Sequence, residues 1–364
     1  MWKGIGFAML GMLFLCGCES VQLEERSFPL AAGIDLQQEE DAEEGEDRKL
    51  VVSFDFPDLA QISEKGKTTD TPMGMSLEGA DMYHVEKSYE NNTNRLLDYN
   101  HLKAVVLGEE LVKNPKYLRS FLLAWEQQES SARNIDLFVG SSAAEILSLT
   151  EETEGSMGKY LEDMLESQKD FRQNKTATLG SLMNQWHNQD ELLLIPMLTG
   201  QGNRPAVTGY AAVLDFQYGG ILSVKEAMEI FLCQNLLRKF TFELSEYEVA
   251  EISELQVSAA VEENEDVPVV TVSIKGKARM VTGRPSSSAQ QYRLEGKIEK
   301  HLTADLQETA KKLRTEYAID MANTYSSLGG LNRNLYRKYQ GQPGVYNQKA
   351  RQVFEVDISL LNWK

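Results

Sequence analysis

The sequence predicts an α+β fold of more than one domain, with mixed β-sheets packed against helices and a long C-terminal amphipathic helix lying on an antiparallel sheet. Three observations carry that expectation. Between residues 101 and 149, β-prone apolar runs alternate with stretches of helical period, as in a sheet with helices on one or both sides. Around 249–282, two long stretches alternate apolar and polar residues about a short acidic turn, the pattern of a two-stranded ribbon. From Leu294 to Tyr325, apolar residues recur every three or four positions, as on one face of a helix. The chain has 364 residues, 42% of them hydrophobic, enough to fill the cores of two or three domains.

The first segment stands apart from the fold. Gly4 to Gly17 carries no charge, follows Lys3 and gives way to polar, acidic sequence at Glu19. Residues 1–17 therefore read as a signal peptide, too short for the roughly 20 apolar residues of a membrane-spanning helix. Leu15-Cys16-Gly17-Cys18 resembles a bacterial lipobox, in which a thiol accepts diacylglycerol and a residue without bulk precedes it. Cys18 follows Gly17 and fits; Cys16 follows Leu15 and does not. Cys18 is thus the expected lipid-attachment residue, carrying S-diacylglycerol and an N-acyl chain, and residues 18–27 are its tether. An uncleaved anchor is the competing reading. A metal clip would need about four ligands, and no second cysteine pair or nearby histidine supplies them. A redox pair would lie in the segment that cleavage removes.

Domain assignment runs 28–204 for an N-terminal α/β-type domain and 205–364 for a C-terminal α+β domain. FPLAAGIDL (28–36) and RKLVVSFDF (48–56) form a hairpin across the acidic connection 37–47. That loop lacks the D-x-D-x-D-G spacing of a calcium site. Residues 68–90 read as a loop leading into a helix capped by Ser76, with Gly79-Ala80 in its first turn. Ala104–Leu107 is a buried strand ending in a turn at Gly108. A helix over 114–132 starts at Asn114-Pro115 and buries Leu118, Leu122 and Trp125. NIDLFVG (134–140) is a strand and 141–149 a helix capped by Ser141 or Ser142. Residues 159–168 are the best helix of a polar stretch.

ELLLIPML (191–198) and AVTGYAAVLDF (206–216) are strands on either side of TGQGNRP (199–205), a turn or linker where the domain boundary is placed. Residues 223–240 read as one helix burying Ala227, Ile230 and Phe231, with Cys233 as a core thiol. The ribbon of 249–263 and 268–282 turns at NEDV (264–267), with Val257, Ala259 and Val261 alternating against Val270, Val272 and Ile274. The stripe from Leu294 to Tyr325 predicts a single helix ending at Gly329-Gly330, and QVFEVDISLL (352–361) a last strand.

A net charge of −18 argues against nucleic acid as a partner, since phosphate binding needs clustered Lys and Arg. It also argues against electrostatic adhesion to anionic lipid, leaving attachment to acyl chains that hold firmly only in numbers. The chemistry-bearing motifs are missing: no P-loop, H-E-x-x-H, G-x-S-x-G or dinucleotide fingerprint is present. The four histidines, His84, His101, His187 and His301, are far apart in sequence and read as structural. Glu109-Glu110 and Glu162-Asp163 lack the spacing that would make them catalytic. Trp186 and Trp363, in polar surroundings, are candidate partner-facing anchors. No catalytic residue, cofactor or metal is therefore expected.

In order and spacing the segments resemble the Ger(x)C family of spore-germination lipoproteins, the C subunits of nutrient germinant receptors. The residues that carry the resemblance are the lipobox at Cys18, AAGID (31–35) with its hairpin to VVSFDF, GMSLEGA (74–80), and NHLKAVVLGEELVKN (100–114). FVGSSAAEIL (138–147), LLLIPML (192–198), VTGYAAVLDFQYGGILSVKEA (207–227) and YAIDMANTYSSLGGLNRNLYRKY (317–339) extend it. WEQQESSAR (125–133) keeps Arg133 where the family often pairs arginines, and QGQPGVYNQ (340–348) replaces a family Pro and Trp. The resemblance implies a several-domain α+β fold and a non-enzymatic subunit. Such a subunit is lipid-anchored on the outer face of the inner spore membrane and assembles with the A and B membrane subunits. Direct germinant binding is not expected. The competing function is an extracytoplasmic ligand-binding (solute-binding) lipoprotein, and a third is an envelope enzyme without a recognisable motif.

Overall fold

The computed structural model describes residues 25–38, 47–57, 75–127, 132–149, 156–167, 170–171, 177–187 and 192–361. Cys16, Cys18 and Trp363, and most of the acidic loop, lie outside them. In chain order the first part comprises β1 (Arg26–Ser27), β2 (Ala31–Leu36), β3 (Leu50–Asp55), β4 (Ser76–Gly79), α1 (Met82–Thr93) and β5 (Leu96–Leu97). Then come β6 (Ala104–Gly108), α2 (Glu109–Lys113), α3 (Pro115–Glu126), β7 (Asp136–Gly140), α4 (Ala143–Leu147), α5 (Met157–Glu166) and α6 (Leu179–Met183). β8 (Leu193–Gln201), β9 (Arg204–Leu214) and β10 (Gln217–Leu222) complete an eight-stranded sheet of order β10-β9-β8-β7-β6-β2-β3-β4. Its centre, β2, β6, β7 and β8, is parallel, and both flanks are antiparallel.

Alternation along the parallel strands assigns each face its own cover. Ala32, Ile34, Val105 and Leu107 point to a core shared with α1, α3 and α6, where Trp125 is fully buried. Ala31, Ala104 and Val106 face the other way, toward α4 and α5. On β2 that second face is made of small residues, Ala31 and Gly33, so α4 lies close: a Cβ on Gly33 would meet Ala143 at 3.1 Å. Because a strand's side chains alternate faces, one apolar run serves both layers.

The helix cap expected at Ser76 lies instead at Asp81, whose carboxylate accepts the His84 amide at 3.0 Å. Ser76–Gly79 is an edge strand paired with β3. Gly79 belongs to that strand, where a Cβ would stand 2.8 Å from the Val85 nitrogen. At Gly108 the chain passes straight from strand to α2 without the expected turn.

The second part runs α7 (Val224–Cys233), β11 (Lys239–Ser245), β12 (Glu248–Asn264), β13 (Val267–Met280), α8 (Ser288–Lys312), α9 (Thr324–Leu331), α10 (Arg333–Tyr339), α11 (Pro343–Lys349) and β14 (Arg351–Leu360). Its sheet has order β11-β12-β13-β14, with β14 parallel to β13, so it is mixed. The helix read over 223–240 stops at Cys233. Asn235 takes φ 58° and turns the chain, and Lys239 to Ser245, with aromatic residues at alternate positions, begins a strand. Cys233 is buried, as expected. The ribbon is present with Glu265 and Asp266 both at positive φ, the hairpin-turn geometry that matches strand twist. A bulge at Glu254 (φ 51°) moves the buried set from Ala250 and Ile252 to Leu255 and Val261.

β8 and β9, assigned to opposite sides of a domain boundary at 204/205, are hydrogen-bonded neighbours in one hairpin. The physical reason lies in β9. Ala211 and Val213 sit in the core of the first part, whereas Tyr210 and Ala212 join the core of the second with α7 and α8. A glycine-containing polar turn reads the same whether it links strands or domains.

The long helix is also shorter than its stripe. Its α-helical part ends at Lys312 and runs into a π-turn over Leu313–Tyr317; Ala318 is left-handed (φ 54°). Buried Asp320 organises the next turn, accepting from Ala322 N (3.0 Å), Thr324 N (2.7 Å), Thr324 Oγ1 (2.5 Å) and Gln352 Nε2 (2.9 Å). Leu313, Met321 and Tyr325 still reach the same core, so the apolar spacing outlasts the helix. A left-handed alanine costs roughly 1–2 kcal/mol. Ala318→Gly should therefore stabilise the protein by roughly 1 kcal/mol in urea unfolding; a loss of stability would show that the break is not strained.

Candidate functional site

In sheets with parallel strands, ligands bind beyond the carboxyl ends of the strands, often on a helix N-terminus. Here that position is filled by the protein's own carboxylate. Asp35, at the end of β2, accepts from the amides of Ala143 (2.8 Å) and Ala144 (2.9 Å), the first residues of α4, and its Oδ2 lies 3.4 Å from the Ser142 hydroxyl. Gly108, ending β6, closes the other side: a Cβ there would lie 2.2 Å from Asp35 Oδ1. In the sequence Asp35 is visible only as a polar residue near the end of a strand. An acid closing an apolar run before a tight packing site is the signal that could have marked it.

Asp55 repeats the arrangement at the opposite end of the hairpin. It accepts the Gly158 amide at 2.9 Å in the first turn of α5, and Gly158 packs so closely that a Cβ would stand 2.2 Å from the Leu30 carbonyl oxygen. Burial pushes Asp55 up to about 6, against the donated bonds of Gly158, Met157 and Ser156.

Open space occurs where the two parts meet and, separately, within the second part. A cleft of about 790 Å³ between β10 and the turn after α8 is lined by Asp215, Tyr218, Gly220, Tyr317, Pro343 and Gln348. Tyr218 donates to Glu109 at 3.2 Å, and burial first, then Glu109, raises its phenol. Tyr317 packs over Gly220, which at φ 109° has no room for a side chain. A groove of about 590 Å³ lies between α7 and α8 and is crossed by Lys225–Asp305 (2.8 Å) and Lys312–Glu226 (2.6 Å). Buried Glu229 lies nearby, raised by burial against the Thr309 hydroxyl. High-pKa phenols and paired carboxylates are not placed as nucleophile and base.

The residues weighed from sequence are dispersed. His84 is exposed beside Asp81 (2.7 Å), His101 stacks edge-on to Phe28, and His187 and His301 lie on separate elements. Glu109 and Glu110 pair with Lys113, and Glu162 with Lys103 and Lys159. Trp186 packs against Phe216 at 4.5 Å, under the Arg119 guanidinium, so it is mostly packing. Among the described residues no three His, Cys, Asp or Glu side chains converge to hold a metal. No described helix is long and apolar enough to cross a membrane.

The crystal structure of the GerBC protein is similar over 92% of this chain and 98% of that one, with a TM-score of 0.60 and 17% sequence identity, a likeness that shows a shared fold. No curated protein matches the chain. The family described as the spore germination protein N-terminal domain matches residues 19–200, half of the length. The chain belongs to the Ger(x)C family of spore germination proteins.

Two outcomes test the helix clamps. Asp35→Ala strands two helix amides and should cost about 2–4 kcal/mol in urea unfolding, with Asp35→Asn costing less; an unchanged midpoint would contradict the clamp. An unfolded aspartate titrates at about 3.9, so between there and about 6 the folded state keeps a proton on Asp55 that the unfolded state has lost, and stability falls as pH rises. Asp55→Asn should remove that slope, gaining about 1–3 kcal/mol on wild type between about pH 4 and about pH 7. A pH-independent difference would contradict it.

Proposed function

We propose that the protein is the C subunit of a nutrient germinant receptor, held by lipid on Cys18 at the outer face of the inner spore membrane. It acts there with the receptor's A and B membrane subunits and performs no chemistry of its own. Membership of the Ger(x)C family carries this reading. The lipobox pattern ending at Cys18 supports the anchor. Asp35 supports the non-enzymatic role, because it uses the crevice where a sheet of this kind would otherwise take a substrate. The cleft beside Tyr218 and Tyr317 is the feature that favours the alternative, a solute-binding lipoprotein of the envelope.

Deleting the gene and scoring germination nutrient by nutrient tests the proposal. The expected outcome is loss of the response to one nutrient or a small set, with the rest intact. Normal germination with every nutrient, together with expression in growing cells, would overturn it. The anchor has its own test: Cys18→Ala should abolish palmitate labelling and membrane retention, and Cys16→Ala should change neither. Equal damage from both substitutions would reassign the acceptor.

A further inference from the structure

The place where the chain joins the fold defines a surface. β1 lies parallel to β5, with Arg26 opposite Leu96 and Ser27 opposite Leu97. Arg26 is bonded to buried Asp98 at 2.5 Å, and Phe28 stacks on His101 at 5.2 Å. The start of the folded body is thus pinned to one rim. Only the six residues 19–24 separate Cys18 from Glu25, at most about 25 Å of extended chain.

The chemistry of that rim differs from the rest of the molecule. Leu96 is 38% exposed, Arg95 and His101 are exposed, and Phe28 is half-buried beside them. Arg26 and Lys103 also reach solvent there. The acids facing them are Glu25, which is exposed, Asp98, whose carboxylate is buried against Arg26, and Glu162, which pairs with Lys103. Three cations and three acids thus balance at this rim in a chain whose net charge is −18. A charge-balanced rim with exposed Leu96 and half-buried Phe28 at the root of the tether therefore approaches a bilayer's headgroup layer without the repulsion that the acidic remainder of the surface meets. There, basic side chains near the surface are each favourable and an apolar side chain reaches the interface. Across the eight-stranded sheet, β6, β7 and β8 separate β2 from β9, the strand whose Tyr210 and Ala212 pack into the core of the four-stranded sheet.

Resting on the anchored reading above, we propose that the rim of Phe28, Arg95, Leu96 and His101 faces the phospholipid headgroups and holds the four-stranded sheet away from the membrane. The molecule stands on the bilayer in one orientation and does not tumble on its tether.

The test uses the full-length protein, purified from membranes and reconstituted in vesicles of phosphatidylcholine and phosphatidylglycerol. An environment-sensitive fluorophore is placed on Leu96→Cys or on Tyr292→Cys, the latter at a residue that is 75% exposed on α8. Quenching by headgroup-labelled lipid should be several-fold stronger at position 96, and adding Arg95→Glu with Lys103→Glu should reduce it toward the value at 292. Equal quenching at both positions, or stronger quenching at 292, overturns the proposal. Failure of the anchor is separately visible. If the protein with Cys18→Ala stays on the membrane, the lipid assignment falls, while quenching at 96 still reports the orientation, because an uncleaved anchor enters through the same short segment.

Discussion

The carboxylate of Asp35 is the contact on which the first part of this molecule depends. It lies at the end of β2, in van der Waals reach of the glycine that ends β6, and it receives the first amides of the helix that follows β7. Three consecutive strands of the parallel centre are thereby held in register at one point. A charged acceptor at a helix N-terminus also satisfies the partial positive charge there, so the position that recruits anions in many α/β proteins is already neutralised. The clamp that orders the sheet also fills its crevice.

A second constraint joins the two parts. β9 buries alternate residues in different cores, Ala211 and Val213 in one and Tyr210 and Ala212 in the other. The second part cannot swing away without exposing that face of the strand. Glu229 and Asp320 are buried acids of the second core, both raised by burial, and Asp320 satisfies the backbone of the turn that comes after α8. The junction is therefore packed and hydrogen-bonded, with open space at its margins.

Much of this was legible in the sequence, where periodicity has one meaning. The hairpin of β2 and β3, the strand–helix alternation through Leu147, the ribbon of β12 and β13 and the strand after Arg351 all follow from alternation and capping. The misreadings share a cause: local patterns continue through points that only tertiary contacts decide. The stripe beyond Lys312 continues because Met321 and Tyr325 pack on the same core after the helix has ended. The run through Phe240 stays apolar although Asn235 has already turned the chain. Ser76 is a good capping residue in isolation, but pairing with β3 claims it for a strand. The clamps were the least visible, since Asp35, Gly108 and Gly158 act through residues distant in sequence.

A family member whose crevice is filled by its own side chain should contribute by position and assembly. Isothermal calorimetry of the purified protein against nutrient amino acids, sugars and nucleosides tests that claim most directly. No binding tighter than millimolar is expected for any of them. A micromolar isotherm with any one of them would contradict that claim.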